Sequence, residues 1–134
     1  MTARAFVAAL GLALVAALAV PQAAPARGTP SGAEMTGDEL RALLANGLKL
    51  KFGGQGEDYI GEVTLKADGT GDGRAVFIDG RPFAVSGTWT IEGDRFCRRW
   101  QYDNFAKVCE TWKRIDHNKV EVFHEGERIG VNSW

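Results

Sequence analysis

The sequence predicts a mainly β protein, an antiparallel meander of about eight strands with one short N-terminal helix. Two observations predict it. From Leu48 onward, apolar residues recur at every second position in short runs, the period of a strand with one buried face. Each run ends in a cluster of Gly, Asp or Asn, with no intervening segment long enough for a helical crossover. Composition agrees: 17 glycines, 10% aromatic and 25% charged residues describe a turn-rich chain with enough bulk for a core.

The helix comes first. Thr36-Gly37-Asp38-Glu39 can form a capping box, Leu40, Leu43 and Leu44 share one face, and Asn46-Gly47 stops the helix with residues that tolerate positive φ. Leu48, Leu50 and Phe52 then alternate with Lys49 and Lys51. After the Gly53–Gly56 loop, Tyr59, Val63 and Leu65 form the next strand, which Gly61 thins. Asp68 to Gly73 reads as a turn, Ala75 to Ile78 as a short strand, and Asp79-Gly80 as the following turn. Pro82 opens a strand in which Val85, Gly87, Trp89 and Ile91 face one way. Glu92-Gly93-Asp94 turns into a long hairpin, Arg95 to Tyr102 and Phe105 to Ile115 around Asp103-Asn104. Asp116-His117-Asn118 leads to Val120 and Val122, and Glu125-Gly126-Glu127 to Ile129 and Val131. Strands in this order can close into a small up-and-down, lipocalin-like barrel, which leaves no exposed edge, or form a strongly curved sheet on the helix.

The first residues read as an export signal. Arg4 supplies a positive start, and Ala5 to Val20 is an uncharged apolar stretch. Small residues suit cleavage after Ala19 or after Ala26; we take the second, giving a signal peptide over 1–26. An uncleaved anchor helix is the alternative. Residues 27–35, with Pro30, Ser31 and Gly32, read as a flexible linker, and 36–134 as a single domain. The expected location is the periplasm or the medium.

The formal net charge is −1, and removal of Arg4 with the signal makes it −2. A nucleic-acid surface needs a clustered basic excess, which is missing here. The same balance gives no polybasic membrane patch, and no stable membrane insertion is expected after signal cleavage.

Cys97 and Cys109 are expected to form a disulfide. Export provides oxidising conditions, and the midpoint between them, residue 103, lies in the hairpin turn. With a three-residue loop, Tyr102 to Asn104, the two cysteines face each other. Opposed residues in a non-hydrogen-bonded pair have Cα atoms about 4.5 Å apart, within disulfide reach. A redox pair is disfavoured by the lack of a C-x-x-C spacing.

That register puts Phe96, Arg98, Trp100, Val108, Glu110 and Trp112 on one face, with Trp89, Arg114 and His124 in phase. Pointed inward, Trp89, Trp100 and Trp112 would surround Arg98, Glu110 and Arg114, a pocket for an anionic or planar ligand. The structural alternative is packed tryptophans with a diagonal Arg98–Glu110 cross-strand ion pair. Asp68, Thr70, Asp72 and Asp79 resemble a degraded calcium loop, although Asp79 stands where a bidentate Glu belongs and the flanks read as strands. No catalytic constellation, zinc spacing or nucleophile elbow is present, and no cofactor is expected.

Gly87-Thr88-Trp89-x-Ile91-x-Gly93-Asp94-x-x-Cys97-x-x-Trp100, followed by Cys109 and Trp112, resembles a pattern in small exported bacterial proteins grouped as domains of unknown function. Some of these are linked to exopolysaccharide secretion. The resemblance spans the mature domain, is distinctive from Gly87 to Cys109, and implies a fold and a compartment without catalytic residues. The first functional expectation is a non-enzymatic accessory or binding module whose partner is an envelope protein, polysaccharide or small ligand. The second is a carrier with a small ligand in the barrel interior. The third is an enzyme acting on cell-envelope polymers. A carrier requires Arg98, Trp100 and Glu110 to line a cavity; an accessory module requires a filled interior and an exposed apolar patch.

Overall fold

A computed structural model describes residues 32–134. The expected signal peptide and both cleavage sites lie outside the described residues. The helix α1 (Gly37–Leu44) precedes eight strands: β1 (Leu48–Gly53), β2 (Tyr59–Leu65), β3 (Thr70–Phe77), β4 (Pro82–Glu92), β5 (Arg95–Trp100), β6 (Lys107–Asp116), β7 (Lys119–His124) and β8 (Glu127–Ser133). Each pairs antiparallel with the next, and β8 returns to β1, so the sheet is a closed up-and-down barrel and not an open curved sheet. Closure is thinnest at that seam, where Lys51 pairs with Ser133 and Phe52 with Asn132.

The helix forms as its sequence dictates. Thr36 Oγ1 accepts from the Glu39 amide at 3.2 Å. Asp94, from the β4–β5 turn, accepts from the Gly37 amide at 2.7 Å and so seats the helix N-terminus against the barrel. Gly37 is required there, because a Cβ would collide with the Gly93 carbonyl. Leu40 and Leu44 are buried and join Met35, Leu65, Trp112 and Val120 in a packed apolar layer. That layer is the floor of the barrel. The opposite end, ringed by the β1–β2, β3–β4, β5–β6 and β7–β8 connections, is open.

Three expectations require correction. The linker does not extend to Met35: Glu34 bridges to Lys113, the Met35 amide donates to the Trp112 carbonyl at 2.8 Å, and Met35 is wholly buried. From Gly32 the chain lies along β6, held by an apolar anchor that a Pro/Gly/Ser reading overlooks. The Asp68–Gly73 turn is shorter than expected, since β3 starts at Thr70 and runs to Phe77, with Ile78 in the next turn. Gly71 and Gly73 are strand residues there, placed where neighbours approach closely: a Cβ on Gly71 would lie 2.6 Å from the Trp100 ring. The β5–β6 loop is longer than three residues. Strand β5 stops at Trp100, Gln101–Asp103 form a single 3-10 turn, and Asn104 and Phe105 both take positive φ.

The lengthened loop keeps its centre at residue 103, so the register survives. Cys97 faces Cys109 and the two are joined, with Cα atoms 4.0 Å apart.

Candidate functional site

The barrel interior holds a cavity of about 590 Å³ opening at the end opposite α1. This lies within the range of about 300–1,000 Å³ typical of small-molecule sites. Its deep wall is apolar, built from Leu50, Val63, Val85, Phe96 and Val122. Aromatic rings crowd the mouth: Phe77 stacks on Phe83 at 4.4 Å, Phe83 meets Tyr102 edge-on at 5.4 Å, and Phe52 lies 5.8 Å from Tyr59.

One wall is polar, and the strand period explains why. Arg98 on β5 pairs with Val108, and Phe96 with Glu110, so Arg98 and Glu110 are diagonal neighbours on the inward face. Arg98 Nε donates to Glu110 Oε1 at 2.5 Å, and its Nη1 donates to Asp103 Oδ2 at 2.9 Å. Below them Trp112 Nε1 donates to Glu110 Oε2 at 2.9 Å. Glu110 is 5% exposed, yet both its oxygens are bonded, which makes its burial tolerable. Burial opposes the charge on Arg98, but the Glu110 carboxylate beside it prevails and the guanidinium's pKa is raised. Arg98 is therefore a permanent cation already shared between two carboxylates.

Tyr59 and Tyr102 line the mouth with raised phenol pKa values. Burial is the first cause in both; Glu57 adds to it at Tyr59, and Asp103 adds to it at Tyr102 against the pull of Arg98. Both remain hydroxyl donors at neutral pH. Tyr59 spends its proton on the Ile129 carbonyl at 3.1 Å. His124 Nδ1 lies 2.9 Å from the Cys109 carbonyl, which fixes the ring at the cavity wall. Asn132 lines the cavity, is 8% exposed, and makes no side-chain hydrogen bond among the described residues. Neither of its polar atoms is sealed from the cavity space.

The sequence-predicted residues separate into two groups. Arg98, Trp100 and Glu110 line the cavity. Trp112 lies beneath it as floor, stacked 6.3 Å from Trp134, and Trp89 packs 5.9 Å from Phe96 with its indole N–H donated to the Thr70 carbonyl. Arg114 is at the closed end, tied to Glu39 of α1 at 3.3 Å and to the His117 carbonyl. The ring of three tryptophans around two arginines does not form. Arg98 and Glu110 form the diagonal ion pair and also line the cavity.

Asp68, Thr70, Asp72 and Asp79 do not converge on an ion. Asp68 bonds the Thr70 amide and hydroxyl at one end of β3, and Asp79 bonds Arg81 at the other. An eight-residue strand separates them, about 25 Å at the usual rise. Among the described residues, the one cluster close enough to share a metal is Glu92, Cys97 and Cys109, and there the sulfurs are joined to each other.

Sequence reasoning missed Asp103, Tyr59, Tyr102 and Asn132. Asn132 was hidden because the apolar Ile129 and Val131 suggest the opposite phase, and a β-bulge at Ile129 turns Gly130 and Asn132 inward instead. Asp103 was hidden because it enters the site from a 3-10 turn that has no strand period.

Fold and cavity together define the class: a small, blind-ended up-and-down β barrel with an open calyx. No family model, curated protein or solved structure matches the chain. Among the described residues, no helix is long and apolar enough to cross a membrane.

Proposed function

We propose that this protein is a small-ligand carrier or binding protein that works outside the cytoplasm and holds its ligand in the barrel interior. The carrying observation is the open cavity of about 590 Å³, in which apolar walls enclose a few fixed polar groups. A barrel used only as a structural module would gain stability by filling that volume, since unfilled space forfeits packing contacts. The disulfide suits an oxidising compartment, and export through the 1–26 signal peptide is part of the proposal.

Native mass spectrometry of the protein taken from the periplasmic fraction tests this reading. The expected result is a co-purifying small molecule, or uptake of added diphenylhexatriene, that a cavity-filling Val122→Phe variant loses while remaining folded. Undiminished binding by Val122→Phe, or none by the wild type, would place function elsewhere.

A second reading, an accessory module that docks on an envelope protein or polysaccharide, draws on one observation. Ile60 and Val76 face each other on the outer surface of β2 and β3, 63% and 40% exposed, near Ile78 at 83%. That reading gains if Ile60→Ser and Val76→Ser abolish function while ligand uptake is unchanged.

A further inference from the structure

Resting on the carrier reading, we infer that the ligand is a largely apolar, ring-bearing molecule with a cationic amine or quaternary ammonium group at its outer end, and that the site selects against anions. The sequence suggests the opposite, because an inward arginine beside aromatic rings invites a carboxylate or phosphate. The geometry removes that invitation. Arg98 already donates to Glu110 and to Asp103, so the charged groups in the wall number one cation against two carboxylates. A ligand carboxylate would have to compete for a guanidinium that is already compensated, and it would do so beside Asp103.

The mouth has the same sign. Besides Asp103, its connections carry Glu57, Asp58, Asp79 and Glu125 against Arg81; Asp79 holds Arg81 at 2.7 Å and Glu57 holds Arg128 of β8 at 2.6 Å, which leaves Asp58 and Glu125 in excess. The field at the entrance attracts cations and repels anions. Of the rings at the mouth, Phe52 and Tyr59 carry no protein cation among the described residues and offer faces to one that enters there, while Phe77 is already stacked on Phe83. Arg98 occupies one such position, 5.9 Å from the centre of the Tyr102 ring, and Arg81 another over Phe77 at 5.1 Å.

The apolar body is assigned to the deep wall, where Leu50, Val63, Val85 and Val122 offer no charge. Asn132 adds a hydrogen-bonding handle at the side of that chamber. Its amide is nine-tenths buried, without a protein partner among the described residues, and can donate to or accept from a neutral polar atom of the ligand. A ligand that covers this amide without bonding it leaves it unpaired, which is costly, so one that bonds it gains over one that does not.

Diphenylhexatriene and two derivatives, one trimethylammonium and one propionate, share an apolar body and differ in charge. Their fluorescence on binding to the intact protein at neutral pH and low salt separates the questions. We expect the trimethylammonium probe to bind about tenfold more tightly than the propionate, the scale of one unit charge a few ångströms from a partly solvated carboxylate. Added salt should narrow that ratio. Asp103→Asn, checked for an unchanged melting curve, should reduce it by about threefold, and Asn132→Leu, which removes an amide that none of the three probes can bond through a neutral polar atom, should leave their order unchanged. Equal binding of the three, or a preference for the propionate, overturns the charge inference and leaves the carrier reading intact. Failure of all three to bind overturns the carrier reading itself.

Discussion

Among the described residues, Glu110 is the buried carboxylate that ties two neighbouring side chains together. It is 5% exposed, it accepts from Arg98 and Trp112, and removing it would strand both donors. We expect Glu110→Ala to lower the unfolding free energy by about 3 kcal/mol, the usual result of breaking one side of a buried, bonded pair. Asp103 tempers the effect, because Arg98 keeps that second partner. Glu110→Gln retains the acceptor for one donor and should cost less. Urea unfolding of both variants measures the difference, and equal losses would show that charge, not bonding, holds the pair. The strand period made Glu110 and Arg98 legible from sequence, since parity fixes which face a side chain takes once the register is set. It says nothing of what stands on the same face from a loop, and so Asp103 went unread.

At the scale of the element, the β5–β6 hairpin was the best specified part of the chain. Two cysteines symmetric about residue 103 set its register, and the structure keeps that register although the loop is longer than expected. The seven residues between the last pair, Arg99 and Lys107, still centre on residue 103 and leave the strands in step, which is why the cysteines predicted the pairing and not the turn. We expect the Cys97→Ser, Cys109→Ser double variant to remain a barrel and to lose about 2–3 kcal/mol of stability, the loop-entropy scale for a short enclosed segment. Denaturant melts with and without reductant check this. A loss near zero would mean that strand pairing alone fixes the hairpin. Strand β3 shows the opposite case. Its Thr70-Gly71-Asp72-Gly73 start has turn composition, yet pairing on both sides and the need to clear the Trp100 ring make it strand. Local propensity lost there to tertiary packing.

For the whole molecule, alternation and turn spacing made a closed barrel one of two readings. Closure itself depends on two paired residues at each side of the β1–β8 seam, a length no pattern encodes. Toward the mouth, beyond that short ladder, other contacts span the gap. The Tyr59 hydroxyl donates to the Ile129 carbonyl, and Arg128 links Glu57 to Glu121, each at 2.6 Å. Hydrogen exchange should therefore be fastest, among paired strand amides, in Lys51, Phe52 and the facing end of β8, and Tyr59→Phe should speed it further. Protection there equal to that of β3 and β4 would show the seam to be as firm as the rest. Nor could the sequence reveal how much of the interior is filled, because apolar alternation identifies inward residues without giving their summed volume against the barrel's.

The floor that α1, Met35 and Trp112 seal has a consequence for traffic. A vessel with a single neck cannot exchange its contents by a push from behind. On the carrier reading proposed above, an incoming molecule must wait until the resident one has backed out, so turnover is paced by departure alone, and whatever receives the cargo has to meet it at the rim.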